Sequence, residues 1–421
     1  MKIVIATAVY YPMINGVAVF SHNLAVGLAK RGHEVLVICP SQTGNNYSRT
    51  IDGVKTVYLK SVDAKVYPDQ IHDVPESKKI FGMKLPRLVY KHGFRVSVFP
   101  QIEIKKALDE FRPDVVHVQV SDPIGLSVVW YARKHDIPVV TTEHNQPEVL
   151  TDPLKVPGVM KKPVNFLLAS YFRNRQGKSD FVTMPTEKAI KELIWSRGKE
   201  FPVPVAAVSN GVDLGNFRPG KAPDELYRKY KLYKEYKTVL YLGRLDPEKN
   251  VGAVIDAFVR AERKLTGVQL VIVGDGVDRP RLEKKAAQHK NIHFLGRIVP
   301  PELYKVYRLG DVFVTASEIE TQGIVLIEAA ACGLPLVAVD KGAVSEVCIT
   351  GENGCLCRPG DVAEISDAMV KILSDEKLQA KYAANSIKIA HEHDFERTLD
   401  KFENIYNRVI KKAVSGRGGE L

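Results

Sequence analysis

Buried strands alternate with amphipathic helices along nearly the whole chain, and the alternation runs twice. In the first run, residues 2–7 read as strand, 20–30 as helix closed by Gly32, 34–39 as strand, 100–111 as helix, 115–119 as strand and 125–135 as helix. Strands at 139–142, 180–184 and 205–208 complete it. Ser209, Asn210, Gly211 and Asp213, then Asn216, Pro219, Gly220 and Pro223, break the pattern. A second run follows, with strands at 238–242, 269–273, 292–294, 312–315 and 336–339 and helices at 251–264, 301–307 and 361–373. Strand–helix alternation with short turns predicts parallel βαβ units with helices on both sheet faces.

The 421 residues are too many for one ordinary core. We therefore expect an α/β chain of two Rossmann-like, doubly wound domains facing each other across a cleft, spanning 1–209 and 210–394. A closing segment, 395–421, forms an amphipathic helix expected to pack back on the first domain, with a frayed tail. In open α/β sheets ligands bind outside the carboxyl ends of the strands, so the informative residues should lie in loops after strands.

No apolar run is long enough to span a bilayer. Tyr10, Tyr11 and Pro12 interrupt the apolar start too early for a signal peptide, so residues 2–7 read as a first buried strand and the protein as cytoplasmic. The five cysteines, at 39, 332, 348, 355 and 357, lack metal-ligand spacing and read as reduced packing thiols.

The formal charge of +11 is concentrated. From Ser77 to Ile102, and again from Pro153 to Ser179, there is no acidic residue. Together the two stretches carry twelve cations, which leaves the rest of the chain about neutral. Lys79, Phe81, Lys84 and Arg87 in the first stretch, and Lys161, Lys162, Phe166 and Arg173 in the second, interleave basic with bulky apolar residues. Such a composition suits a helix lying on an anionic membrane surface; it equally describes a solvated basic face. No nucleic-acid motif accompanies it, and no nucleic-acid partner is expected.

The densest constellation is Glu320 and Glu328 flanking a Gly323 turn and the start of an apolar helix, just after the strand at 312–315. Two acids placed so could hold a nucleotide-sugar by its sugar and its ribose. The helix amino end at Gly323, Ile324 and Val325 would meet the diphosphate. Glu328, among apolar neighbours, must be paired or hydrogen-bonded; ribose hydroxyls or a structural ion pair would serve. Arg244 and Lys249 fall where the strand at 238–242 hands over to a helix. A guanidinium fork and a compact ammonium there could stabilise a departing diphosphate, or pair with Asp246 and Glu248 as ordinary loop cations. Gly274, in Gly-Asp-Gly, permits a tight turn beside a ligand. Arg297 and Ile298 follow another strand, where the backbone could read a base edge or simply turn. In the first half, Gly16 could let the backbone approach a phosphate. His144 stands just past a strand, either as a structural histidine or as a group that hydrogen-bonds a sugar hydroxyl. His117 lies inside a strand and reads as core or as support for the site.

Taken together, Glu320 and Glu328, Arg244 with Lys249, the Gly-Asp-Gly turn, the Asn210-Gly211-Val212-Asp213 crossing and Gly16 resemble the retaining glycosyltransferases of family 4, which have the GT-B fold. The resemblance runs from Lys2 to about Asn407. It implies a hexosyltransferase in which Glu328 holds the ribose, Arg244 and Lys249 the diphosphate, and Glu320 the donor hexose. His144 would lie near the donor sugar and acceptor, and no metal or other cofactor would be required. The segments around Ser317–Gly323 and His144–Glu148 look like those of diacylglycerol glucosyltransferases and phosphatidylinositol mannosyltransferases. That implies a UDP-linked donor, a membrane-lipid or lipid-linked acceptor and a peripheral place on the inner face of the cell membrane. A soluble glycan acceptor, a GDP-mannose donor, a nucleotide-sugar epimerase and a non-catalytic sugar- or membrane-binding relative are the rival readings. Two departures stand out: Asn15 occupies a position that is glycine in many members, and Pro280 is expected to interrupt the helix after the Gly-Asp-Gly turn.

Overall fold

The structure, a computed structural model, describes residues 1–11, 15–63, 95–119, 122–144, 164, 177–197 and 201–417. The chain forms two compact units, Met1–Val208 with Leu399–Leu421, and Ser209–Thr398.

The first unit is built on one sheet. Its strands are β1 (Lys2–Ala6), β2 (Glu34–Pro40), β3 (Tyr47–Ile51), β4 (Val54–Leu59), β7 (Val115–Val118), β8 (Val139–Thr142), β9 (Phe181–Met184) and β10 (Val205–Ala207). A separate pair, β5 (Val62–Asp63) and β6 (Arg95–Val96), stands outside it. The order is β10-β9-β8-β7-β1-β2-β4-β3, parallel except for the β3–β4 hairpin. Helices α1 (Gly16–Lys30), α2 (Gln101–Phe111), α3 (Pro123–Lys134) and α4 (Glu187–Arg197) connect strands. Val4, Ala6, Leu36, Ile38, Val116 and Val118 pack with Ile104 and Leu108 of α2 and Ile124 and Val128 of α3. The intervening Ile3, Ile5, Val35 and Val37 are equally buried, as strands covered on both faces require.

The second unit carries α5 (Asp224–Tyr230), β11 (Lys237–Leu242), α6 (Val251–Glu262), β12 (Val268–Val273), α7 (Arg279–Ala286), β13 (Ile292–Gly296), α8 (Glu302–Val306), β14 (Val312–Thr315), α9 (Ile324–Ala331), β15 (Leu336–Val339), β16 (Gly354–Cys357), α10 (Val362–Leu373) and α11 (Glu376–His391). Its all-parallel order is β13-β12-β11-β14-β15-β16, the doubly wound arrangement in which chain order reverses between β11 and β14. The period-two alternation of strand side chains divides its core in two. Val239, Tyr241, Leu270 and Ile272 pack with α6 and α10, while Leu240, Val271, Phe313 and Ala338 pack with α9. Four of the cysteines are buried and all five are free thiols.

The closing helix, α12 (Phe395–Arg417), begins in the second unit and joins the first from Leu399. Phe402 and Tyr406 are buried there, and the Phe402 ring lies 5.9 Å from Phe20 and 5.1 Å from His117. Arg31 bonds Asp400 and Glu403, each at 2.7 Å.

Several boundaries differ from the sequence expectation. Helix α1 starts at Gly16 rather than at residue 20, because the Asn15 side chain caps it, accepting from the Ala18 amide at 2.8 Å. The residue that replaces a family glycine thus closes the helix end. Pro280 does not interrupt α7: it sits in the first turn, where its missing N–H costs no hydrogen bond. The β3–β4 hairpin and α11 were not expected. Strand β3 is an exposed edge with little apolar signal.

Candidate active site

In the second unit the loops after β11 and β14 emerge on either side of the switch point, where such sheets bind ligands. Lys249 comes from the first loop and Glu320 from the second, and the fold brings them together. Lys249 Nζ donates to Glu320 Oε1 at 2.6 Å, with both side chains mostly buried. The same ammonium lies 3.4 Å from Ser317 Oγ and 3.4 Å from the Ile319 carbonyl. The β14 loop is also held from behind. The Ala343 amide donates to the Glu320 carbonyl at 2.9 Å. A Cβ on Gly342, whose φ is +61°, would come within 2.5 Å of that same oxygen. Gln322, which sequence reasoning assigned no role, donates to Ser209 Oγ at 2.7 Å and accepts from the Asn210 amide at 3.1 Å. The loop is therefore pinned to the Asn210–Gly211 crossing. There a Cβ on Gly211 would meet Phe395 Cα at 2.8 Å, which is why the chain has glycine at that point.

Arg244 takes the plainer of its two expected arrangements. Its guanidinium bonds Asp246 and, at 2.6 Å, Glu248 Oε1, both in its own loop. Among the described residues Arg244 and Lys249 have no bonded partner in common. Asp246 also accepts from the Val277 amide at 3.1 Å, which ties the β11 loop to the Gly-Asp-Gly turn. The glycines of that turn admit protein backbone: a Cβ on Gly274 would lie 1.9 Å from the Gly243 carbonyl, and one on Gly276 2.3 Å from that of Leu245.

Helix α9 begins at Ile324, behind Gly323 at φ +76°, and no side chain among the described residues caps it. The amides of its first turn keep the partial positive charge of a helix amino end. Glu328, one turn further, has no ion-pair partner among the described residues, and the Tyr307 hydroxyl donates to its Oε2 at 2.5 Å. Burial pushes the Glu328 carboxyl up to about 7, opposed by that hydrogen bond. Tyr307 was missed from sequence because it sits in a short 3₁₀ turn, Tyr307–Leu309, with no motif to flag it. Beyond β13, Ile298 packs on the apolar core, while both terminal nitrogens of Arg297 are buried without a hydrogen-bond partner among the described residues. Burial lowers the Arg297 pKa. Among the described residues no group of three or more His, Cys, Asp or Glu side chains is placed to hold a metal.

In the first unit His144 directly follows β8. It is buried, its Nε2 is 2.8 Å from Gln119 Oε1, and the Phe20 ring meets it edge-on at 5.3 Å. Burial pushes its imidazole down to about 3, as it does that of His117. Gly16 is the first residue of α1, and residues 12–14 of the loop before it lie outside the described residues, so phosphate contact there has no geometry to weigh. Lys79, Phe81, Lys84, Arg87, Lys161, Lys162, Phe166 and Arg173 also lie outside the described residues. Among the described residues no helix is long and apolar enough to cross a membrane.

Comparison with known proteins places the chain in a family. Residues 14–216 match the family model described as Glycosyltransferase Family 4, and residues 223–389 that described as Glycosyl transferases group 1. The chain is 28% identical to alpha-monoglucosyldiacylglycerol synthase of Streptococcus pneumoniae, over 98% of this chain and 92% of that protein. It is 27% identical to a glycogen synthase of Mycobacterium tuberculosis, over 96% of this chain and 94% of the relative. Its fold matches sucrose-phosphate synthase from Thermosynechococcus elongatus with a TM-score of 0.72 at 20% identity, covering 98% of this chain and 100% of the other. The two models between them take in nearly all of both units, and the chain belongs to the glycosyltransferases of family 4, as a hexosyltransferase with the GT-B fold.

Proposed function

We propose that this protein moves a hexose from a UDP-linked donor to a hydroxyl of a membrane lipid, such as diacylglycerol or a lipid-linked acceptor, with retention of anomeric configuration. The observation that carries the donor half is the Lys249–Glu320 pair at the switch point beside the uncapped amino end of α9. A nucleoside diphosphate entering there meets an ammonium, a helix dipole and, at Glu328, a carboxylate able to accept ribose hydroxyls. Lys249 exchanges its partner from Glu320 to a phosphate oxygen, and the freed Glu320 accepts hexose hydroxyls. Arg244 adds its field to the same loop. These groups neutralise the leaving diphosphate without a divalent ion. Acceptor attack on the face that the leaving group departs from would give that retention.

The lipid acceptor is supported by the similarity to a diacylglycerol glucosyltransferase and by the surface next to the first basic stretch. Phe99 and Ile102, at the start of α2, are 85% and 80% exposed. Apolar side chains beside a run of cations suit peripheral attachment to an anionic membrane, here its inner face. A soluble glycan acceptor is the second reading, favoured by the similarity to a glycogen synthase over 96% of this chain.

The test is transfer from a panel of UDP-, ADP- and GDP-linked hexoses to diacylglycerol in anionic vesicles or to a soluble glucan, with the product's anomeric configuration read by NMR. Glycolipid of retained configuration from a UDP-sugar supports the proposal. Inverted product rejects the mechanism, glucan extension alone moves the acceptor to the second reading, and preference for GDP-mannose corrects the donor.

A further inference from the structure

The first unit contains a buried hydrogen-bonded chain that the reaction described so far leaves unused. Gln119 follows β7 directly, is fully buried, and is fixed by its amide, which donates to the Ala6 carbonyl at 2.8 Å. Its side-chain carboxamide faces two imidazoles. Oε1 lies 2.8 Å from His144 Nε2, and Nε2 lies 3.2 and 3.3 Å from the two ring nitrogens of His117. His117 is held at both ends, 2.7 Å from the Tyr406 hydroxyl on α12 and 2.6 Å from Thr142 Oγ1, which continues to Thr183 Oγ1 at 2.6 Å.

A carboxamide oxygen only accepts, so the nitrogen facing it must carry the proton. A neutral imidazole has one N–H, and burial keeps His144 neutral. Placing that proton on Nε2 leaves Nδ1 with a lone pair, and no described residue hydrogen-bonds Nδ1. We propose that Gln119 is a positioning residue that locks His144 in the Nε2–H tautomer, so that His144 presents Nδ1 as a hydrogen-bond acceptor to a substrate hydroxyl. The proposal rests on the hexosyltransferase reading, and it adds a direction: the hydroxyl that meets His144 donates. The Phe20 ring packs against the imidazole and Gln119 sets the proton.

The test reads the tautomer directly. The full chain labelled with ¹⁵N-histidine, with the His144 signals assigned by their loss in His144→Gln, should show a protonated Nε2 and an unprotonated Nδ1 at neutral pH. A protonated Nδ1, which an amide turned the other way would give, overturns the proposal without any variant of Gln119. In Gln119→Met, which keeps the length and removes the acceptor, both tautomers should appear. There kcat should fall about tenfold while KM for the nucleotide-sugar stays within about twofold. An unchanged tautomer or an unchanged kcat in a folded Gln119→Met protein would also overturn it. A wild-type protein that transfers no sugar from any donor would refute the function, and the wild-type spectrum would still decide the tautomer.

Discussion

The two units equip their strand ends in opposite ways. In the second, the loops after β11 and β14 carry full charges, each matched by another: Lys249 by Glu320, Arg244 by Asp246 and Glu248. In the first, His117 and Thr142 at the ends of β7 and β8, with Gln119 and His144 just beyond them, form a buried chain of neutral groups. A mostly buried charge needs a counter-charge beside it, and an incoming phosphate can take the place of the carboxylate that now supplies one to Lys249. Neutral groups kept dry hold one geometry, since each broken hydrogen bond leaves an unsatisfied partner. The second unit is thus suited to receiving and releasing an anion, the first to fixing the direction of a hydroxyl.

The largest effect that could break this contrast is expected at Lys249. Lys249→Ala should lower kcat/KM about a hundredfold or more, since it removes a cation at the leaving group. It also strands Glu320, so the double variant Lys249→Ala/Glu320→Gln separates the two: recovery of donor binding there would mean that repulsion by Glu320, not loss of the ammonium, caused the defect.

Next comes the backbone that carries those charges. Gly274→Ala should cost more than about 3 kcal/mol, because its Cβ overlaps the Gly243 carbonyl. Gly32→Ala, at φ +84° with nothing within 4 Å, should cost about 1 kcal/mol from conformation alone. Denaturant titration of both checks the difference. Equal costs would show that the β11 and β12 loops are not packed as described.

A smaller effect is expected in the neutral unit. His144→Ala should lower kcat about tenfold with donor affinity within about twofold, the cost of one lost hydrogen bond rather than a lost charge. A loss as large as that of Lys249→Ala would erase the contrast between the units.

The smallest effect is one of pH. Glu328 titrates near 7 because burial disfavours its charge. Ribose hydroxyls favour the carboxylate, so donor binding should lower that pKa. Donor affinity should then rise with pH, by at most about tenfold per unit, and level off above about 7. In Glu328→Gln it should be flat, as calorimetric titration across pH would show. Stability runs the other way. The protonated form is favoured by folding, so its contribution is full below the ordinary carboxylate range and is lost as pH rises through about 7.

The strands and their order of burial were legible in sequence because runs such as Ile3-Val4-Ile5 and Leu270-Val271-Ile272 are apolar on both faces and bounded by turn residues. The exposed β3 edge was not, since Ser48, Arg49 and Thr50 carry no alternation that distinguishes strand from loop. Motif spacing put Lys249, Glu320 and Glu328 on the loops and helix where the structure has them. It could not supply their partners, which come from far along the chain: Tyr307 for Glu328, Ser209 for Gln322, Tyr406 for His117. Nor could it choose between the two arrangements of Arg244, because Asp246 and Glu248 lie within one turn of it and either outcome suits the same residues. The Gly-Asp-Gly turn reads the same whether a ligand or a neighbouring loop fills the space; only the 1.9 Å approach at Gly274 tells them apart.

The central claim is that the second unit grips a diphosphate through Lys249 at the switch point. Calorimetric titration of UDP, UMP and uridine into the wild-type protein and Lys249→Ala, in the presence of a chelator, tests it most directly. The account predicts that UDP binds well above UMP and uridine, and that Lys249→Ala removes most of that margin, about 2 kcal/mol or more, while leaving uridine unchanged. Equal binding of UDP by the two proteins, or no binding of UDP by either, would contradict it.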